Sequence, residues 1–228
     1  MSDQHNLTRI KVVNTALEDL ADKVVYIGGA TVSMYRDRPA EQARPTDDVD
    51  IVIEITKLVE YVAIEEQLRS KGFSNDLDSG IICRYVVQGI IVDVMPTHED
   101  ILGFTNRWYK KGFGSSMEYA LDEATQVRIL SADYFLASKL EAFIGRGNND
   151  GRMSSDFEDI VYVLNNRSSI WDELKASDQE LKDFVKKIFS ELNEKDVLHE
   201  WVSCHLEYSE QRRVDYIVAG IIEFVQHN

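Results

Sequence analysis

The stretch Val24–Ile55, VVYIGGATVSMYRDRPAEQARPTDDVDIVIEI, holds two strand patterns joined by a glycine turn and a polar loop. Val24–Ile27 is a short apolar run of β-forming residues and reads as a buried strand. Gly28-Gly29 ends it, and Ala30–Tyr35 reads as a short helix. Arg36–Asp47 is polar, contains two prolines and reads as a loop. Val49, Ile51, Ile53 and Ile55 then alternate with Asp48, Asp50, Val52 and Glu54, the pattern of a strand with one fully apolar face. Successive side chains of a strand point to opposite faces. Asp48 and Asp50 therefore share the other face, roughly 7 Å apart at their Cα atoms.

The surrounding sequence builds on this unit. Leu7, Ile10, Val13, Leu17 and Leu20 recur at helical spacing and predict a first helix over 6–22. Thr56 is a candidate N-cap for a helix over 57–70, with Gly72 as its stop. Ile81–Val87 and Ile90–Met95 flank Gln88-Gly89, which predicts a β-hairpin with Asp93 inside its second strand. Short strands are expected near 117–121 and 126–130. From Ser131 onward the pattern is helical. SADYFLASKLEAFIGR places Phe135, Leu136, Leu140 and Phe143 inward, and after a Gly/Asn loop SSDFEDIVYVLNNR does the same with Phe157, Ile160, Val161 and Leu164. Further helices are expected over 178–193, 195–207 and 210–226. The fold class is α+β: a mixed sheet flanked by helices over residues 1–130, then a helical part over 131–228.

The chemistry these residues suit is metal-assisted phosphoryl transfer. That reaction asks the protein for positioning and for cations that neutralise developing charge. Magnesium prefers carboxylate oxygens, phosphates and waters. Asp48 and Asp50 supply two carboxylates from one strand face. Asp93, set among Ile90, Ile91, Val92 and Val94, is costly in a strand without a partner, and is the natural third ligand. Glycine at a strand-to-helix turn lets backbone approach a phosphate, so Gly28 and Gly29 are candidate phosphate holders, with hydroxyls from Thr31 and Ser33. Arg44 and Thr46 precede the aspartates and suit phosphate contact or shaping of the loop. Asp76-x-Asp78 has the same spacing as Asp48-x-Asp50 but lies between polar residues in a loop, and nothing is assigned to it.

Bulk properties bound the partners. The 228-residue chain has 25 Lys and Arg against 40 Asp and Glu, a formal charge of −15. That balance opposes broad non-specific DNA binding, which depends on neutralising many phosphates. It leaves open an RNA held by a local basic patch, and a nucleotide whose charge is met by metal ions. No apolar run approaches the roughly 20 residues of a membrane helix. The N-terminus shows no secretory pattern, and Cys83 and Cys204 have no motif spacing, which leads us to expect a cytoplasmic chain with free thiols. Trp108, Tyr109 and Phe113 with Lys110 and Lys111 suit either packing or stacking of an acceptor base.

The pattern of Gly-Gly, then Asp-x-Asp, then a third acid on a later strand resembles the DNA polymerase β-type nucleotidyltransferase superfamily. Within it, Gly28-Gly29-x-x-Val32 and Arg44-x-Thr46-x-Asp48-x-Asp50 resemble the AbiEii-like (abortive infection) branch. Lys139-Leu140-x-Ala142 answers the branch's lysine motif, and Arg152-x-x-x-Asp156-Phe157-x-Asp159-Ile160 answers its later Asp-x-x-Asp motif. The resemblance covers about residues 24–165, with Ala30 standing where threonine is usual and Ser155 where lysine is common. It implies Mg2+ held by Asp48, Asp50 and Asp93, and a nucleoside triphosphate as substrate. It implies Lys139 assisting catalysis, with Asp156 and Asp159 near the nucleotide. It also implies transfer of a nucleoside monophosphate to an acceptor such as RNA or tRNA, by the toxin of a toxin–antitoxin pair with an antitoxin protein as partner. A small-molecule acceptor such as an antibiotic, or a non-catalytic binding role, would fit the same residues.

Overall fold

The first helix begins earlier than its apolar residues suggest, and the reason bears on the site. The computed structural model describes residues 2–39, 41–146 and 150–226. Helix α1 spans Ser2–Leu17 and buries Asp3, Asn6, Ile10, Val13 and Leu17 at spacings of three and four. Its first turn is thus on the buried stripe but polar, which hides it from a search for apolar periodicity. Leu7, expected on that face, is only half-buried. The polar pair is used. Asp3 accepts from the Ala43 N–H at 2.8 Å, and Asn6 donates to the Arg44 carbonyl at 3.2 Å. The Asn6 amide oxygen faces the Thr46 N–H and hydroxyl, both at 3.4 Å, and Arg9 donates to the Thr46 carbonyl. The helix therefore fastens the loop that leads into the Asp48 strand. It ends at Glu18, in the left-handed conformation at φ 51°, and a 3-10 segment Glu18–Lys23 follows.

Among the described residues, seven strands form one mixed sheet: β1 Val24–Ile27, β2 Asp48–Ile53, β3 Ser74–Asn75, β4 Arg84–Val87, β5 Ile90–Pro96, β6 Met117–Ala120 and β7 Gln126–Ile129. Their order is β3-β4-β5-β2-β1-β7-β6. β2 lies at the centre, antiparallel to β1 and parallel to β5. Along β5 burial alternates strictly, with Val92 and Val94 inside and Asp93 half-open. β2 begins the same way, with Val49 and Ile51 buried and Asp48 and Asp50 half-open. The period-2 pattern thus seals one face of the sheet and leaves the acids on the other. Gln88 and Gly89 take φ of 49° and 78°, the left-handed pair that closes a two-residue hairpin between β4 and β5.

The remaining elements refine the expectations from sequence. Gly29–Tyr35 is a 3-10 rather than an α-helical piece. Helix α2 spans Leu58–Ser70, but Lys57 rather than Thr56 is its N-cap residue. Glu60 reaches back to accept from the Thr56 and Lys57 N–H groups and the Thr56 hydroxyl, so a glutamate one turn in does the capping. The strand predicted from Ile81 starts only at Arg84, because Ile81 and Arg84 close a turn through their backbones. Two short helices, α3 Glu99–Leu102 and α4 Tyr109–Gly114, and the two-residue strand β3 have too little periodicity to be read from sequence.

The helical part contains α5 Ala132–Arg146, α6 Ser155–Asn166, α7 Ile170–Ala176, α8 Gln179–Glu194, α9 Leu198–Cys204 and α10 Val214–Gln226. Residues 147–149 of the predicted Gly/Asn loop lie outside the described residues. The seven residues from Tyr134 to Leu140 of α5 are all buried, as in a helix surrounded by others. Trp201 packs edge-on against Phe143 and Phe157, which are tilted against each other, with centroids 5.2–5.8 Å apart. The chain separates into two compact units, Met1–Met34 with Gln42–Ser131, and Tyr35–Glu41 with Ala132–Asn228. The loop piece in the second unit is held there by Tyr35 against Phe135, at 4.4 Å, and by Arg38 on Glu210 at 2.7 Å. No helix among the described residues is long and apolar enough to cross a membrane.

Truncating Asn6 leaves buried backbone and hydroxyl groups of the 43–46 loop without their partner. Asn6→Ala should lower stability by about 1–3 kcal/mol, read as a shift of the urea midpoint at unchanged m-value.

Candidate active site

Strand register decides where the acids go. β2 and β5 run parallel with Asp50 directly beside Asp93, and β4 runs antiparallel to β5 with Arg84 directly beside Asp93. Asp48 lies two residues along β2, on the same face as Asp50. One carboxylate oxygen from each of Asp48, Asp50 and Asp93 lies within 4.8 Å of the other two, and all three residues are half-buried. At such separations and an effective dielectric of about 20, each pair of carboxylates repels by roughly 3 kcal/mol. A cation placed among the three would relieve that repulsion. Three hard oxygen donors are the set that Mg2+ or Mn2+ favours.

One cation is built into the sheet. Arg84 donates from Nε to one oxygen of Asp93 and from Nη2 to the other, both at 2.8 Å, and Nη2 also reaches Asp48 at 3.4 Å. The Asp93 hydrogen bonds, together with the nearby charges of Asp93, Asp48 and Asp50, push the guanidinium pKa further up. Sequence reasoning passed over Arg84, yet the signal was present. Once Gln88-Gly89 is taken as the hairpin turn, counting back from it sets Arg84 opposite Asp93. The buried Cys83 thiol next to Arg84 is pushed up to about 11, by burial first and by the Asp93 charge second.

The two glycines are required by the site itself. Gly28 has φ +72°, and a Cβ there would lie 2.0 Å from an Asp50 carboxylate oxygen. At Gly29 a Cβ would lie 2.4 Å from an Arg44 guanidinium nitrogen and 2.8 Å from the Thr46 methyl. The missing side chains make room for Asp50 and for the Arg44-x-Thr46 segment, a role the phosphate argument from sequence did not contain. Thr31 is fully buried, and its hydroxyl donates to the Gly28 carbonyl at 2.9 Å. The Thr46 hydroxyl donates to the Asp48 carbonyl at 3.1 Å. Both threonines thus hold the turn and the strand entrance in shape. The Ser33 hydroxyl is buried without a hydrogen-bond partner.

The residues singled out beyond the sheet come together within the helical unit. Lys139 is buried, with its ammonium 2.7 Å from Asp159 and 3.2 Å from Asp156. Arg146 adds a two-pronged contact to Asp156, at 2.8 and 2.9 Å. Burial alone would raise the Asp156 pKa, but the Arg146 hydrogen bonds and the Lys139 charge outweigh it and hold the pKa below the ordinary 3.8. Arg152, which opens the quoted motif, forks onto Asp150 at the surface. Trp108 is buried and carries Arg107 over its ring at 4.9 Å, so it is a packing residue.

These features stand on a recognisable scaffold. The chain superposes on the crystal structure of an antigenic nucleotidyltransferase-like protein from Paracoccidioides brasiliensis. The TM-score is 0.51 at 17% identity, and the match covers 92% of this chain and 97% of that one. The fold is nucleotidyltransferase-like. No family model matches the sequence, and no curated protein matches it. At this identity the likeness speaks for the fold, and the chemistry has to be argued from the side chains.

Two outcomes follow from this geometry. Gly28→Ala places a β-carbon in the left-handed region, which alone costs ~1–2 kcal/mol, and displaces the Asp50 carboxylate. Urea unfolding should show at least that loss, and divalent-cation binding should weaken with it. For Asp156 the folded pKa is depressed, so its contribution is fully present above pH 3.8 and is lost as pH falls below that value. Stability measured down to pH 2 should therefore fall more steeply for the wild type than for Asp156→Asn, which starts less stable at neutral pH.

Proposed function

We propose that the chain is a metal-dependent nucleotidyltransferase that moves a nucleoside monophosphate from a nucleoside triphosphate to an acceptor. The observation that carries this reading is the convergence of Asp48, Asp50 and Asp93 on one face of the sheet, beside a Gly-Gly turn shaped around Asp50 and Arg44. Asp48, Asp50 and Asp93 would hold Mg2+, which when bound supplies positive charge to the phosphates and lowers the cost of charge building up there. The chain's own groups do the rest. Arg44, half-buried against Gly29, offers a planar cation for a phosphate oxygen. The backbone at Gly28 and Gly29 presents N–H groups at the start of the following 3-10 segment. The carboxylate of Asp93 would orient an acceptor hydroxyl. Residues 1–130 form the catalytic part in this reading and 131–228 a helical part.

The finer identity rests on the motifs. Arg44-x-Thr46-x-Asp48-x-Asp50, Lys139-Leu140 and Asp156-x-x-Asp159 support an AbiEii-like enzyme acting as the toxin of a toxin–antitoxin system, with RNA or tRNA as acceptor and an antitoxin as partner. The buried Lys139–Asp156–Asp159 cluster supports a purpose for those three residues, because charges are kept in a core only when paired. The net charge of −15 favours the second reading, a cationic small molecule such as an antibiotic as acceptor.

Incubating the protein with labelled nucleoside triphosphates, Mg2+ and either total RNA or a panel of small cations tests the proposal and separates the acceptors. Asp48→Ala with Asp50→Ala should reduce transfer at least ~1000-fold, in line with removing the electrostatic stabilisation of a transition state. It should still unfold cooperatively. Undiminished transfer by this folded double variant would sink the assignment, and label on neither acceptor with the wild type would point to a non-catalytic binding protein.

A further inference from the structure

Arg84 stands where a second cation would be useful. Its guanidinium meets both oxygens of Asp93 at 2.8 Å and extends to Asp48 at 3.4 Å. An ionised carboxylate has about four lone-pair positions on its two oxygens, and a forked arginine occupies one on each. Asp93 is therefore half spent on Arg84. Arg84 is also not locked away. Its side chain is 20% exposed, and those of Asp48 and Asp93 are 34% and 14% exposed, so the pair can exchange with solvent ions.

An ordinary cross-strand ion pair would explain Arg84 against Asp93 alone. It does not explain why the same guanidinium reaches a second candidate ligand on another strand. Resting on the metal-site reading above, we propose that Arg84 is a built-in counter-ion that competes with a divalent cation for Asp93. In the nucleotide-free protein the cation is held chiefly through Asp48 and Asp50. Asp93 becomes a full ligand only when Arg84 turns away, and the anionic phosphates of a nucleotide are the chemistry that would draw it off. Arg84 is thus a positioning residue that sets how tightly the empty enzyme holds metal.

The sign of one measurement decides this. Mn2+, visible by electron paramagnetic resonance, is titrated into the nucleotide-free full chain. With Arg84→Ala the Mn2+ affinity should rise about tenfold, the size of one released charge interaction. Arg84→Lys should give a smaller rise, because one ammonium cannot hold both carboxylate oxygens. A residue that merely orients the metal ligands would give the opposite result, a fall of about 10–100-fold on removal, and that fall, or no change, overturns the proposal. Should Arg84→Ala fail to give a cooperative melt, Arg84→Lys carries the test with the same signs. Mn2+ binding by the wild type with the wrong sign in the variants rejects the role of Arg84 alone. Binding no stronger in the wild type and Arg84→Ala than in the Asp48→Ala, Asp50→Ala double variant rejects the metal site, and this inference with it.

Discussion

Three carboxylates held within 4.8 Å of one another repel, and the local structure is arranged to make that tolerable. The arrangement begins with a register. β2 lies between β1 and β5, and its parallel pairing with β5 sets Asp50 beside Asp93. A slip of one residue would turn the acids toward the packed face, where Val49, Ile51, Val92 and Val94 now sit. The apolar alternation of the strands is therefore what keeps the acids off that packed face. The acids are not needed for the strands to form.

Compensation comes from neighbours rather than from depth. Arg84 arrives through the hairpin and neutralises one charge. Gly28 gives up its side chain, so the Asp50 carboxylate can lie against the turn. Asn6 and Asp3 tie down the loop that brings Arg44 and Thr46 past Gly29. Each contact is modest on its own. Together they hold three like charges in place without burying them, and half-buried acids keep the solvent access that exchange of ions requires.

The helical unit handles charge in the opposite way. Lys139, Asp156 and Asp159 are buried and satisfied by one another, with Arg146 reaching in from the surface side. Such a cluster is costly to break and is a weak source of net stability. It does tie α5 to α6, because the lysine comes from one helix and both acids from the other.

Much of this was legible in the sequence. Strands β1, β2 and β5, the hairpin turn, the shared face of Asp48 and Asp50 and most of the helices follow from periods of 2 and 3.6, which are local properties of the chain. Even the Arg84–Asp93 pair follows from counting back from Gln88-Gly89. The sequence could not show that Asp3 and Asn6 are buried, since polar residues on a core-facing stripe make sense only once the loop they hold is present. Nor could it show that Lys139 is buried, because one turn of helix does not reveal what packs on its other sides. Nor could it show that the glycines make room for Asp50 and Arg44, which lie well beyond them along the chain. The sequence alone thus determined which residues could carry the chemistry. The tertiary structure decided which of them meet, because strand register and loop anchoring join residues far apart in the chain and local periodicity says nothing about such pairs.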